Sequence, residues 1–102
     1  MTAEIRDNAA LQRFELPLAD GVAFAQYRKA DGVVTIYHTE VPAPLRGQGV
    51  AAALVAGALN LVRRDGLKLI PRCSYVTLFL KRHAEFRDLV DRKSTRLNSS
   101  HT

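Results

Sequence analysis

The stretch "VPAPLRGQGVAAALVAG", Val41 to Gly57, runs from a pair of prolines through a glycine turn into a mainly apolar segment. The two prolines end any preceding strand, because proline has no N–H to donate to a neighbouring strand. After the turn, the sequence predicts a helix over Val50 to Arg64, with Gly66 as a C-terminal stop signal. Most of the helix circumference is apolar, so we expect broad packing against a sheet. Its small or polar stripe consists of Ala53, Gly57, Asn60 and Arg64.

The residues before this stretch predict three strands. They are Arg13 to Leu18, Val22 to Lys29 and Val33 to Val41. Two Ala-Asp-Gly turns separate the strands, at residues 19–21 and 30–32, so we expect an antiparallel meander. The third strand is the clearest of the three, because "VVTIYHTEV" is rich in β-branched and aromatic residues.

The residues after the helix complete the predicted domain. Leu67 to Pro71 predicts a fourth strand, and the β-α-β order implies that it pairs in parallel through a right-handed crossover. Ser74 to His83 predicts a second helix with Ser74 as N-cap, and Glu85 to Val90 a further short helical turn. The order β-β-β-α-β-α indicates a three-layer α+β or mixed α/β domain with a mixed sheet. Its first predicted strand, Arg13 to Leu18, is expected to leave an edge open for pairing.

Charge and cysteine content exclude several classes of protein. The net charge is +5, but the segment after Val90 contributes +2 of it, and residues 1–90 carry only +3. No basic stripe alternates with aromatic residues, so nucleic acid is not an expected partner. The single cysteine, Cys73, excludes an intrachain disulfide and favours the cytoplasm. The longest mainly apolar run, Val50 to Val62, is too short to cross a bilayer, so no membrane partner is expected.

The C-terminal residues differ in character from the rest of the chain. The segment "DRKSTRLNSSHT", Asp91 to Thr102, is polar, rich in Ser, Thr and Asn, and without hydrophobic periodicity. We interpret it as a disordered or non-native tail and assign the folded domain to residues 1–90. The sequence predicts no metal site.

The turn before the helix matches the pattern R-x-x-G-x-A over Arg46 to Ala51. The first N–H groups of a helix have no intrahelical partner, and the helix dipole adds positive charge there. Glycines leave the backbone accessible, so the turn predicts a nest for an anion such as phosphate. The alternative is a tight turn whose glycines only permit close packing. Ala52 completes a variant of the dinucleotide fingerprint, but three antiparallel strands come first, and this order excludes a Rossmann unit.

The segments "HTEVPAPLRGQGVAAALV" and "LKLIPRCSYV" resemble the small, single-domain members of the GNAT superfamily of acyl-CoA N-acetyltransferases. The resemblance extends from about Phe14 to Val90 and implies a GNAT-like acyl-CoA N-acyltransferase fold. It implies that the pyrophosphate of acetyl-CoA binds the turn, and that the pantetheine arm follows the end of the preceding strand. The acceptor-side helices usual in the superfamily are missing after the first predicted strand. The implied cofactor-binding residues are Glu40, Val41, Arg46, Gly47, Gln48, Gly49, Val50, Ala51, Cys73 and Tyr75.

Four side chains are candidates for the chemistry of acetyl transfer. His38 and Glu40 lie two apart on one strand, so they share a face, and either is a candidate general base. Cys73, at the start of the second helix, is a candidate acyl-accepting nucleophile or a cleft-lining residue. Tyr75 is a candidate proton donor to the leaving thiolate. The alternative interpretations are a solvent-facing His38–Glu40 pair, an inert buried cysteine and a half-buried packing tyrosine.

Two functions follow from these residues. The first is an acetyl-CoA-dependent N-acetyltransferase that transfers an acetyl group to an unidentified amine acceptor. The alternative is a non-catalytic acyl-CoA-binding or interaction module, which the missing acceptor-side helices favour. We expect a monomer or a weak homodimer. Arg82 and His83 are interpreted as a solvated helix end.

Overall fold

The computed structural model describes residues 4–91 and contains one five-stranded mixed sheet and two α-helices. The strands follow one another across the sheet in chain order; the first four are antiparallel, and the fifth is parallel to the fourth. The strands are β1 (Arg6–Asn8), β2 (Arg13–Leu18), β3 (Gly21–Ala30), β4 (Val33–Glu40) and β5 (Lys68–Pro71). The helices are α1 (Val50–Arg64) and α2 (Ser74–Arg82), with 3-10 turns at Ala43–Leu45 and Ala84–Leu89.

The structure confirms the predicted α+β fold with its mixed sheet and parallel crossover. The bounds of β2 and α1 are those predicted, and the other predicted elements differ by one or two residues. Cys73, not Ser74, is the N-cap of α2, because its backbone is still extended (φ −91°, ψ 131°). Val90 lies outside the last helical turn and forms a parallel bridge with Leu69 of β5. The predicted tail lies outside the described residues except for Asp91.

The prediction missed β1, and this strand occupies the edge that was expected to be open. β1 pairs antiparallel with β2, from Arg6 opposite Glu15 to Asn8 opposite Arg13. The expectation of a free edge at β2 is therefore wrong. The sequence "RDN" has no apolar or β-branched residue, so nothing in its pattern indicates a strand. Polar contacts with β2 and β3 hold β1 in place.

Glu15 is the centre of these polar contacts. Its carboxylate accepts hydrogen bonds from Arg6 Nε (2.7 Å), Arg13 Nε (2.6 Å) and Asn8 Nδ2 (3.1 Å), and only 2% of Glu15 is exposed. Burial alone would raise the pKa of Glu15, but the hydrogen bonds from Arg13, Arg6 and Asn8 outweigh it and lower the pKa from 4.5 to about 2. The ionised carboxylate thus joins β1 to β2.

A second polar contact joins β1 to β3. The Tyr27 hydroxyl donates a hydrogen bond to the Asp7 carboxylate. Burial raises the pKa of Tyr27, and the bond to Asp7 raises it further, so the phenol stays protonated. The Tyr27 ring packs on Phe14 with a centroid distance of 4.6 Å, so a core residue carries this contact.

The sheet has one covered face and one largely open face, which we call the inner and outer faces. Opposed residues in register share a face, and the inner face carries the buried residues of alternate strand positions. Both helices and the last 3-10 turn pack on it, so the domain has two layers and the expectation of three is wrong. The inner-face residues of the core are Phe14, Leu16, Ala23, Ala25, Tyr27, Val34, Ile36 and Leu69. Neither helix among residues 4–91 is long and apolar enough to cross a membrane.

Gly57 allows the segment before β1 to pack against α1. The other members of the predicted small or polar stripe, Ala53, Asn60 and Arg64, are exposed, whereas Gly57 is half-buried beneath Ile5. A Cβ atom on Gly57 would lie 2.0 Å from Ile5 Cγ1, a distance that no real contact allows. The glycine is therefore required by the close approach of the N-terminal segment.

We predict that Gly57→Ala destabilises the domain, although alanine favours a helix over glycine by about 1 kcal/mol. Overpacking against Ile5 should outweigh this gain and cost about 1–3 kcal/mol in the free energy of unfolding. Urea denaturation of Gly57→Ala, alone and combined with Ile5→Ala, measures both effects. Most of the penalty should disappear in the double variant. A more stable Gly57→Ala single variant would contradict the packing.

We also predict an acid transition that depends on Glu15. A carboxyl whose pKa is lowered on folding stabilises the folded state above its unfolded pKa and loses this effect as the pH falls towards its folded pKa. Stability should therefore fall between about pH 5 and about pH 2, and Glu15→Gln should flatten this part of the profile. Urea denaturation across this range is the measurement. Asp20→Asn, at an exposed turn position, is the control and should keep the slope of the unmodified chain.

Candidate active site

The turn before α1 has the backbone geometry of an open nest. Gly47 and Gly49 have φ angles of 81° and 76°, in the left-handed region that glycine adopts most easily. A Cβ atom on either glycine would meet nothing within 4 Å, so the space above the turn is open. No side chain caps the start of α1, and its first turn has no acidic residue. The first N–H groups of α1 are therefore available to an anionic ligand.

Two side chains of the turn bond back to the chain that precedes it. Arg46 Nε donates to the carbonyl oxygen of Val41 (3.0 Å), and Gln48 Nε2 donates to that of Pro44 (3.2 Å). Both side chains are on exposed residues. These bonds fix the path of the turn and place the Arg46 guanidinium between the end of β4 and the start of α1.

A cavity of about 260 Å³ lies beside this turn, between the end of β4 and the first turns of both helices. Of the predicted cofactor-binding residues, Gln48, Glu40 and Cys73 are not part of its lining. The structure adds Leu45 and Ala52, small or apolar residues whose contribution the motif alone did not indicate. The lining residues are Val41, Leu45, Arg46, Gly47, Gly49, Val50, Ala51, Ala52 and Tyr75.

β4 and β5 separate at the level of this cavity. Their parallel pairing runs from Val33 opposite Lys68 to Ile36 opposite Pro71, whereas β4 continues to Glu40 with pairing only to β3. The resemblance implied such a gap between these two strands. α2 begins at the point of separation, so its N-terminus faces the unpaired half of β4.

A β-bulge at Tyr37 determines which β4 side chains face the helices. Gln26 of β3 is opposite His38, but the next residue, Tyr27, is opposite Ile36, so Tyr37 has no opposed partner. Beyond the bulge, Thr39 lies opposite buried Ala25 and faces inwards. A bulge re-aims the side chains that follow it, which is its usual effect beside functional sites.

His38 and Glu40 lie on the outer face, opposite Gln26 and Phe24. His38 Nε2 and Glu40 Oε1 are 3.1 Å apart, and both side chains are about half exposed (49% and 54%). The predicted shared face is therefore observed. It is the face away from the helices and from the 260 Å³ cavity, although the two strands that could separate it from the cavity are unpaired at this level.

Thr39 and Cys73 meet across the gap between β4 and β5, on the inner side. Thr39 Oγ1 lies 3.5 Å from Cys73 Sγ, and Cys73 is half-buried. Burial raises the pKa of the Cys73 thiol, but hydrogen bonding from Thr39 and from the backbone amides of Val76, Tyr75 and Thr39 outweighs it and lowers the pKa. Sequence reasoning missed Thr39, which the alternation of "HTE" would have placed on the face opposite His38 and Glu40.

The structure thus sorts the predicted site residues into three groups. The first comprises the turn, Val41 and Tyr75 around the cavity; the second, Cys73 with Thr39 in the strand gap. The third is the His38–Glu40 pair on the outer face. Among residues 4–91, no three His, Cys, Asp or Glu side chains lie close enough to hold a metal ion together.

An α+β sheet with an open helix start beside separating parallel strands is the architecture of an acyl-CoA N-acyltransferase. One solved structure with this fold is the NMR structure of a candidate GCN5-like N-acetyltransferase from Staphylococcus aureus. It is similar to this chain with a TM-score of 0.66 and 27% sequence identity, over 88% of this chain and 89% of the bacterial one.

The chain belongs to the GCN5-related N-acetyltransferase family, whose model matches residues 13–89. Curated relatives are Protein NATD1 from Homo sapiens, Bos taurus and Gallus gallus, each 39% identical over 49 residues. The matched segment is 48% of this chain and 43–44% of the relatives, so the alignment spans less than half of their length. The family establishes an acetyltransferase fold and class for this chain.

We predict that Thr39→Val raises the pKa of the Cys73 thiol, because it removes the hydroxyl that favours the thiolate. Alkylation by iodoacetamide reports this change directly, since the chain has a single cysteine. The midpoint of its pH–rate profile should move to higher pH in Thr39→Val. Thr35→Val, on the outer face of the same strand, is the matched control and should leave the profile unchanged. An unchanged midpoint in Thr39→Val would contradict the contact.

Proposed function

We propose that this protein is an acetyl-CoA-dependent N-acetyltransferase that transfers an acetyl group to an amine. The observation that carries the proposal is the glycine nest at the uncapped start of α1, beside a cavity in a GCN5-related fold. Left-handed Gly47 and Gly49 keep the backbone bare, and the helix dipole favours negative charge at this point. The pyrophosphate of acetyl-CoA fits this chemistry.

The proposed path of acetyl-CoA follows from the position of the cavity. With its pyrophosphate on the N–H groups of residues 49–52, the pantetheine arm would run along Val41 towards the gap between β4 and β5. Arg46 stands beside the pyrophosphate and offers a charge-assisted contact. In this arrangement the thioester would lie near Cys73 and Thr39, on the inner side of the strand gap.

The acceptor amine is proposed to approach from the outer face. The His38–Glu40 pair lies there, and one member removes a proton from the amine so that its nitrogen can attack the thioester carbonyl. The C–S bond breaks, the acetyl group stays on the nitrogen, and the CoA thiolate takes a proton. Tyr75, which lines the cavity, is the proposed donor of that proton. The two substrates would thus meet through the opening in the sheet.

Cys73 is proposed to line the cleft beside the acetyl group. Its pKa is lowered by Thr39 and by amides at the start of α2, so the thiol is also activated as a nucleophile. Mass spectrometry after incubation with acetyl-CoA separates the two roles. An acetyl adduct that Cys73→Ala abolishes indicates a covalent route, and its absence during turnover indicates direct transfer.

We predict that Gly49→Trp weakens acetyl-CoA binding about tenfold or more, because the indole would occupy the nest and displace the pyrophosphate. Gly32→Trp is a matched control: its φ of 77° equals that of Gly49 within a degree, and its Cβ position is equally open, but it lies in the β3–β4 turn. Isothermal titration calorimetry with acetyl-CoA measures binding in both. Binding that Gly49→Trp leaves intact, or none in the unmodified chain, would refute the proposed nest.

We further predict that His38→Gln combined with Glu40→Gln lowers kcat about 100-fold or more, since general bases contribute at least this much. The Kd for acetyl-CoA should not change, because the pair lies on the face opposite the cavity. Release of free thiol in the presence of a panel of amines measures turnover, and the two single variants then assign the base.

A non-catalytic acyl-CoA-binding module is the second candidate function. One observation favours it: only residues 19–20 separate β2 from β3, so no helix is inserted there to form an acceptor pocket. The same two assays separate the candidates. Acetyl-CoA binding without thiol release for any amine in the panel would support the module, and amine-dependent release would support the enzyme.

A further inference from the structure

A second, smaller cavity of about 90 Å³ adjoins the first along α2. The two cavities share Ala52 of α1 and Tyr75 of α2, so they are parts of one groove between the helices. The second cavity extends from these shared residues towards the C-terminal end of α2. Its lining is Ala52, Tyr75, Leu78, Phe79, Arg82 and His83.

The lining of the second cavity combines aromatic surface with positive charge. The His83 ring stacks on Phe79 at a centroid distance of 4.1 Å and an angle of 21°. Within residues 4–91 no carboxylate pairs with Arg82, so its guanidinium is available to a ligand. The nearest acidic group to the ring is Glu85, whose Oε2 is 3.8 Å from His83 Nδ1.

This combination suits one part of a nucleotide cofactor. Aromatic rings and flat apolar surface accommodate a base, and an arginine recognises phosphate with paired N–H donors. A positively charged amine acceptor would be repelled by Arg82. The groove also begins at the nest proposed for the pyrophosphate, and a ligand anchored there has one continuation towards the strand gap and another towards Arg82.

We propose that the second cavity binds the 3′-phosphorylated adenosine of coenzyme A, with Arg82 contacting the 3′-phosphate. This inference rests on the proposed function, because it needs the pyrophosphate at the nest. His83, held against Phe79, forms the wall on which the base lies. Arg82 and His83 therefore belong to the cofactor site and are more than a solvated helix end.

The experiment compares CoA with 3′-dephospho-CoA by isothermal titration calorimetry in three forms of the full chain. In the unmodified protein, CoA should bind about 5- to 10-fold more tightly than 3′-dephospho-CoA, as expected for a partly exposed charge-assisted contact. Arg82→Gln should weaken CoA by that factor, leave 3′-dephospho-CoA unchanged, and so abolish the difference. Lys81→Gln is the matched control, since it removes the same charge from the adjacent position, outside the cavity, and should keep the difference.

The outcomes separate this inference from the proposed function. Equal affinities for the two ligands in the unmodified chain, or equal weakening of both by Arg82→Gln, would overturn the adenosine site and leave the nest standing. Loss of the difference in Lys81→Gln as much as in Arg82→Gln would also overturn it, because net charge alone would then explain the effect. No binding of either ligand to the unmodified chain would overturn both proposals.

Discussion

The carbonyl oxygen of Ile36 is the contact on which the site depends. It accepts the backbone N–H of Arg72 (2.9 Å) and also that of Cys73 (3.1 Å), just after Pro71 ends the ladder of β5. Because two successive amides converge on one acceptor, the chain cannot continue along β4 and turns into α2. The remainder of β4 is left without a partner on that side. The strand gap, the position of Cys73 and the direction of α2 all follow from this turn.

The bulge at Tyr37 complements that turn. Strict alternation from buried Val34 and Ile36 would place His38 and Glu40 on the inner face and Thr39 on the outer face. One extra residue in β4 reverses this assignment, so that Thr39 meets Cys73 and the His38–Glu40 pair faces the opposite side. A bulge of this kind depends on the pairing of two strands and leaves no clear mark in a single sequence.

The sequence predicted those elements whose signals are local. Apolar periodicity and the flanking glycines placed α1, and the two Ala-Asp-Gly turns placed the meander. β1 escaped prediction because its stability comes from Glu15 and Tyr27, which lie 7 to 20 residues further along the chain than their β1 partners. Gly57 belonged to a stripe that the pattern left to solvent, and only the path of Ile5 shows why it is glycine. At the site, the glycine motif indicated the nest, whereas Thr39 and the second cavity required the fold.

The distribution of charge gives the proposed chemistry a direction. The helix side of the domain carries Arg46 at the start of α1 and Arg82 near the end of α2, and the first turn of α1 has no acidic residue. On the outer face, Arg6 and Arg13 are both engaged by Glu15, whereas Glu40 is bonded only to the imidazole of His38. Anions are therefore favoured on one side of the strand gap, and a cationic amine meets a carboxylate on the other. Two reactants of opposite charge would each be attracted to its own side, and the gap that begins at Ile36 is where they would meet.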